Sequence, residues 1–382
     1  MIIRPVQVVG NAPATSEIVV SGTRITHVGQ PSARARENGP LVDPGDAIAF
    51  PGLVNSHDHL EFNLYPALGH RRYEHYLEWG RDIHERDHEL ISVLERVPRA
   101  ERLRWGALKN LLCGVTTVAH HGDHHDDLSH LRIATAPGTS IHSVRCAPRW
   151  RLRINAPIPA TPYVFHVGEG TSAEARAEID ELIRWNLLRR PLVGVHAIAM
   201  TPSQARHFRA VVWCPVSNEF LYGATADVAL LKSTTTILLG SDATLTADWN
   251  FWNHLRRARS IGLLDDRELF EAVTRRGALA WRRAEGGAVA PGMDADLVVA
   301  RKRTGEGFEA FFHVQPEDIL LVMRAGRILL YDAVFEADLP EGPFSAIRLG
   351  QSEKRVAEDV PGLLATLRAF GVRPNLPLCA AV

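Results

Sequence analysis

The sequence predicts an α/β fold: a (β/α)8 TIM-type barrel over residues 49–286, shortened around its third and fourth strands, with a small composite β-sandwich drawn from residues 1–48 and 287–345. Three observations lead there. Short apolar runs alternate with helical patterns through the middle of the chain, the βα signature of a parallel sheet. That middle stretch suits a closed barrel, whose usual length is about 250 residues. Both chain ends instead carry short β-branched or alternating segments separated by Gly and Asn.

Taken in order, IIRPVQVVG, EIVVSGTRITHVG and AIAF supply the N-terminal strands. Barrel strands are expected at AFPGLV (49–54), VTTVA (115–119), SIHSVR (140–145), YVFHV (163–167), LVGVHA (192–197), AVVWC (210–214) and TILLG (236–240). Those are seven of the eight a closed barrel needs. The segment between SIHSVR and YVFHV is short and Pro-rich, so either the fourth strand is minimal or the barrel is irregular there. Thr171–Glu174 spells a capping box ahead of a helix whose Ile179, Leu182, Ile183 and Leu187 recur at helical spacing. Thr201-Pro202-Ser203-Gln204 starts another, with Pro at the first helical position. DWNFWNHLRRARS and DDRELFEAVTRRGALAW complete the helical part. ADLVVA, ILLVMRAGRILLYD and AVFEA return to strand, and PGLLATLRAFG is the periodic part of a tail over 346–382.

Composition excludes several classes. Hydrophobic residues make up 46% of 382 and charged residues 23%, a globular balance rather than a disordered or collagenous one. A net charge of −1 and a pI near 7.0 give no field to gather nucleic acid or an anionic membrane. The opening MIIRPVQVVGNAP is too short and polar for a signal peptide, and no apolar run approaches the roughly 20 residues of a membrane span. Cys113, Cys146, Cys214 and Cys379 show no CxxC spacing, which predicts reduced thiols and a cytoplasmic location.

The chemistry is expected at the C-terminal ends of the strands, where such barrels build their sites. The first strand ends in Ser56-His57-Asp58-His59, and residues two apart on a strand face the same side. YVFHV delivers His166 with Glu169 just beyond, LVGVHA delivers His196, and TILLG runs into Ser241-Asp242. A lone His on an apolar strand is usually a core residue. Four strands each delivering a His or Asp at the same end point instead to one ion. Three imidazoles and a carboxylate suit Zn2+ or Fe2+ with an open coordination position.

These segments resemble a known family. PGLVNSHDH (51–59) is similar to the PGLVxxHxH signature of the amidohydrolase superfamily. HVGEG (166–170), WCPVSNEFLYG (213–223) and LLGSDATLTAD (238–248) resemble the HxxE, CPxSNxxLxxG and GTDxxxxN-type elements of its mononuclear deaminase and chlorohydrolase branch, the triazine hydrolases among them. GGAVAPGMDADLVV (286–299) and LVMRAGRILL resemble the stretches that follow the barrel. The resemblance implies that His57, His59, His166 and Asp242 bind one divalent metal ion, Zn or Fe. It implies Glu169 as proton shuttle, with His196 contacting the metal-bound water or the substrate and Asp242 also acting in catalysis. Dinuclear relatives use a carboxylated Lys after the fourth strand. Residues 146–165 hold no Lys, Glu or Asp, which predicts a mononuclear site.

The expected activity is that of a metal-dependent hydrolase in which a metal-activated hydroxide attacks an sp2 carbon bearing nitrogen. Deamination of an aminated heterocycle is the first expectation, amide hydrolysis the second, and a non-catalytic metal-binding barrel the third. The partner is a small molecule, not nucleic acid or membrane, and a homo-oligomer is left open. Three further features are candidates for substrate contact. They are His120, His121, His124 and His125; the arginines 145, 149, 151 and 153; and the aromatics Tyr65, Tyr73, Tyr76 and Trp79. Each has an ordinary alternative as a solvated loop, a solvated face or packing.

Overall fold

A computed structural model of the chain describes residues 1–10, 15–31, 39–123, 125–157, 161–339 and 341–380. The N-terminal part forms β1 (Ile2–Val8), β2 (Thr15–Ser21), β3 (Arg24–Gly29), β4 (Leu41–Val42) and β5 (Ala47–Pro51). The middle of the chain forms β6 (Leu53–Asp58), β7 (Val115–His120), β8 (Ala134–Thr135), β9 (Thr139–Ser140), β10 (Tyr163–Val167), β11 (Leu192–His196), β12 (Phe208–Trp213) and β13 (Thr236–Leu239). The chain ends with β14 (Leu297–Arg301), β15 (Ile319–Arg324), β16 (Arg327–Asp332), β17 (Ser345–Leu349), β18 (Ser352–Val356) and β19 (Leu378–Ala380).

Strands β6-β7-β8 form one parallel sheet and β9-β10-β11-β12-β13 another, with helices between. The two meet where the Asp242 N–H donates to the His57 carbonyl at 3.0 Å, so the last strand's loop is pinned to the first strand's end. Near-continuous burial of β6, β10 and β11 is what a strand covered on both faces requires.

The third strand is not where the sequence pattern put it. SIHSVR is strand only at Ser140, where it belongs to the fourth strand, β9, beside β10. The third is Ala134–Thr135, paired with β7. Pro137-Gly138 separates the two, and a two-residue strand is too short to show a period.

The remaining strands make one mixed sheet in the order β19-β17-β18-β16-β15-β14-β5-β1-β2-β3, with β4 beside β1. The two chain ends join where β5 and β14 run antiparallel, Leu297 opposite Pro51 and Arg301 opposite Ala47. The tail has the expected helix, Val360–Ala369, but it also adds β17, β18 and β19 to the sheet. Ala325-Gly326, both at positive φ, close the β15–β16 hairpin. A Cβ at Gly326 would meet the Gly22 carbonyl at 1.8 Å, so the hairpin can lie against the β2–β3 turn only with glycine there. Phe50, Trp252 and Phe311 lock this sheet to the helix Phe251–Ile261, with ring centroids 5.0–5.7 Å apart and edge-to-face.

Two helix expectations change in detail. The helix Ala173–Trp185 is capped by Ser172, which accepts from the Ala175 N–H, rather than by Thr171. DDRELFEAVTRRGALAW forms two helices, Asp266–Ala272 and Arg275–Ala280. The Val54 N–H takes the Val273 carbonyl at 2.7 Å, and a continuous helix would need that carbonyl itself. The helix start read at Thr201–Gln204 forms with Pro at its first position, and Thr201 and Gln204 also close a capping box. Among the described residues the four cysteines are free, and no helix is long and apolar enough to cross a membrane.

Candidate metal centre

His57, His59, His166, His196 and Asp242 converge at the C-terminal ends of β6, β10, β11 and β13. His57 Nε2 lies 3.6 Å from Asp242 Oδ1, His59 Nε2 lies 3.9 Å from the same oxygen, and His59 Nε2 is 3.3 Å from His166 Nε2. Ligand atoms of His57, His166 and His196 lie within 4.8 Å of one another, as do those of His57, His59 and Asp242. His57 is fully buried, yet neither ring nitrogen has a hydrogen-bond partner. Burial pushes its imidazole down to about 4, against the pull of Asp242, so the ring is neutral at pH 7 and offers a lone pair. Burial likewise holds His166 well below the usual imidazole range. A buried polar atom without a partner is costly, and a cation shared by these nitrogens and the carboxylate would satisfy it. The donor set fits a divalent ion of the zinc type.

A second set of contacts orients these side chains. His166 Nδ1 lies 2.9 Å from the His142 carbonyl and His196 Nδ1 lies 2.8 Å from Asn218 Oδ1. Each contact fixes a tautomer and turns the ring's Nε2 inward, the usual support of a metal-binding histidine. Asp242 Oδ2 accepts from Ser217 Oγ at 2.7 Å and from Thr246 Oγ1 at 2.8 Å, which leaves Oδ1 toward the histidines. The backbone is strained here: His196, Ala197 and Asp242 all have positive φ, at 70°, 54° and 58°. Such residues cost about 1–3 kcal/mol each and persist where the surroundings over-determine them.

Glu169 is buried beside this cluster. Its Oε1 accepts from the Tyr222 hydroxyl at 2.8 Å and lies 3.8 Å from His196 Nε2. Burial raises its carboxyl above the ordinary value, partly offset by His196 and by the Tyr222 hydrogen bond. The loop that presents it is clamped. Gly170 bridges to His75, and a Cβ there would sit 2.3 Å from the Glu74 carbonyl.

Beneath the histidines lies a buried ionic network. Asp58, between His57 and His59, is fully buried and pairs with Lys109 Nζ at 2.9 Å. Asn110 and Asn63 also donate to Asp58, at 2.7 and 2.8 Å. Lys109 Nζ reaches Ser241 Oγ at 3.3 Å and the Asp242 carbonyl at 3.5 Å. One buried cation therefore ties the end of β6 to the loop after β13.

The structure brings together every residue expected from the strand ends, with Glu169 beside them. It adds Ser217, Asn218, Tyr222, Thr246 and Lys109, which the sequence reading did not assign. Ser217, Asn218 and Tyr222 all lie within WCPVSNEFLYG, so the signal was present in that segment. Of the His-rich loop, His121 is buried against the cluster, its ring 4.2 Å from that of His166, and both its nitrogens lack partners. His120 lies 3.4 Å from Glu61, His125 caps a turn, and His124 lies outside the described residues. Tyr65, Tyr73 and Tyr76 are buried, in line with the packing alternative, and none of the four candidate aromatics lines the cleft above the cluster; Phe62 does. Arg145 and Arg151 are paired with Glu178 and Glu181 on the helix Ala173–Trp185, which agrees with the solvated-face reading of these arginines rather than with substrate contact. Arg149 is exposed. Of that group only Arg153 faces the cleft.

No protein-family model and no curated protein matches the chain. Solved structures do. A zinc-bound adenosine deaminase from Xanthomonas campestris superposes with a TM-score of 0.73 at 19% identity, covering 97% of both chains. The atrazine chlorohydrolase TrzN from Arthrobacter aurescens TC1, complexed with zinc, gives 0.71 at 17% identity, covering 97% of this chain and 99% of that one. A guanine deaminase from C. acetobutylicum with guanine bound gives 0.65 at 17%, covering 86% and 99%. The chain shares their fold, from one end to the other in the first two cases.

Proposed function

We propose that this chain is a metal-dependent hydrolase of the amidohydrolase superfamily that deaminates an aminated heterocycle. The observation that carries the proposal is the convergence of four histidines and Asp242 from four strand ends, with buried Glu169 alongside. His57, His59, His166 and Asp242 would hold one divalent ion. When bound, the ion supplies Lewis acidity that makes water nucleophilic near neutral pH. Glu169 does the proton work. Tyr222 occupies Oε1, which leaves Oε2 to take a proton from the attacking water and return it to the leaving nitrogen. Asn218 fixes His196 so that its Nε2 can meet a polar atom of the substrate. Zinc in the adenosine deaminase and in the chlorohydrolase, and guanine in the guanine deaminase, support this assignment of metal and substrate class.

The test is elemental analysis of protein purified without chelator, followed by a screen of amino-heterocycles for ammonia release. About one Zn or Fe per chain is expected from a single donor set with one open position. Folded protein that holds no metal and cannot be reloaded would overturn the proposal.

A further inference from the structure

A cleft of about 520 Å3 opens over the cluster, with His59 and His121 in its wall and three arginines, Arg99, Arg102 and Arg153, facing it. The arginines differ in what they are doing. Arg99 lies 3.6 Å from Glu61 and donates to the Asp123 carbonyl. Arg153 donates to the Ser140 carbonyl at 3.0 Å. Arg102 is paired with no carboxylate among the described residues, and its Nε is buried without a hydrogen-bond partner. Its positive charge acts on the neighbouring Tyr65 hydroxyl. The cleft also holds Glu61, Glu95 and Asp123. Glu61 is already engaged, by Arg99 and by His120 at 3.4 Å.

We infer that Arg102 is the anchor for an anionic group, a carboxylate or a phosphate, on the substrate of this site. The inference rests on the hydrolase reading of the metal cluster and adds to it the charge of the substrate. A substrate that fills the cleft strips water from the guanidinium. With a neutral substrate that loss is uncompensated, because no protein carboxylate takes its place. A carboxylate or phosphate restores it with two parallel charge-assisted bonds, the geometry a guanidinium presents. His121 shares the cleft wall with Arg102 and is buried against His166 with both ring nitrogens unpartnered. The substrate class is therefore an aminated ring at the cluster with an acidic substituent reaching Arg102.

The test uses the metal-loaded protein and three probes: benzoate, phenyl phosphate and uncharged benzyl alcohol. Each is titrated calorimetrically into wild type, Arg102→Gln and Arg102→Lys, with metal content measured on the same samples and folding checked by circular dichroism. Wild type is expected to bind at least one anion and to bind it more tightly than the alcohol. Arg102→Gln is expected to lose at least about tenfold in anion affinity, the loss of a hydrogen bond to a charged group, with metal content unchanged. Arg102→Lys keeps the charge without the fork and should fall between them. Whichever anion binds more tightly identifies the acidic group. Equal anion affinity in wild type and Arg102→Gln would mean that the anion sits on the ion or elsewhere, and would overturn the inference while leaving the hydrolase reading intact. Protein without metal would undo the hydrolase reading, yet titration of that protein still reports whether anion binding depends on Arg102.

Discussion

Replacing Lys109 with Met should destabilise the protein by about 3 kcal/mol. Removing one partner of a buried ion pair costs about 3–5 kcal/mol, because the other charge stays in a medium that cannot solvate it. Lys109 and Asp58 meet that condition, at 1% and 0% side-chain exposure and 2.9 Å separation. The low end of the range applies because Asp58 keeps its hydrogen bonds from Asn110 and Asn63. The assay is urea unfolding of metal-free wild type, Lys109→Met, Asp58→Asn and the double variant. At an m-value of about 3 kcal/mol/M the midpoint should fall by about 1 M. The double variant should cost less than the sum of the singles, with a coupling of about 1–3 kcal/mol, as residues in one network show. A Lys109→Met midpoint within about 0.3 M of wild type, or strictly additive singles, would refute the claim that one buried cation joins the end of β6 to the loop after β13. Metal affinity should fall with stability, since the two segments it joins, the end of β6 and the loop after β13, carry His57, His59 and Asp242.

Glu169→Gln should keep its metal and lose at least about 10²-fold in turnover, the ordinary contribution of a proton-transfer group. Unchanged turnover would move that role elsewhere, with His196 the next candidate. Tyr222→Phe should shift the acid limb of kcat/KM to higher pH. The sign follows from the hydrogen bond that Tyr222 donates to Glu169: it favours the carboxylate, so its loss adds to the upward push of burial and protonates the base at a higher pH. An acid limb that stays put or moves down would show that Glu169 is not the titrating base. Thiol reagents should reach Cys146 and Cys379 in the native protein and spare Cys113 and Cys214. The first two are exposed, and the latter are fully buried, with burial pushing the Cys113 thiol up to about 12. Labelling followed by peptide mapping reads this directly, and native modification of Cys113 would contradict the packing described.

The parts of this molecule that were legible in the sequence are those whose signal is local. His57 and His59 could be placed together because residues two apart on one strand share a side, whatever the rest of the fold does. His166, His196 and Asp242 could be added because each ends a short apolar run, and parallel strands of a barrel open at one end. What escaped the sequence depends on distance along the chain. Tyr222 reaches Glu169 from 53 residues away, and Lys109 reaches Ser241 from 132. The motif WCPVSNEFLYG marks the segment that holds Tyr222 but not the residue it reaches, and nothing in the window around Lys109 names its partner. Lys109 lies on the buried part of the helix Arg99–Leu112, and the fold can hold its charge there because Asp58 meets it. The cap of the helix after Glu169 shows the same limit at short range. Thr171 and Ser172 are chemically equivalent caps. The choice between them is made by the Glu74 carbonyl, which accepts from the N–H groups of both Thr171 and Ser172 and so fixes where the chain turns into the helix. The contact that seats Glu169 thus also sets the start of the helix behind it. That is why a local motif located the residue and only the assembled loops could say how it is held.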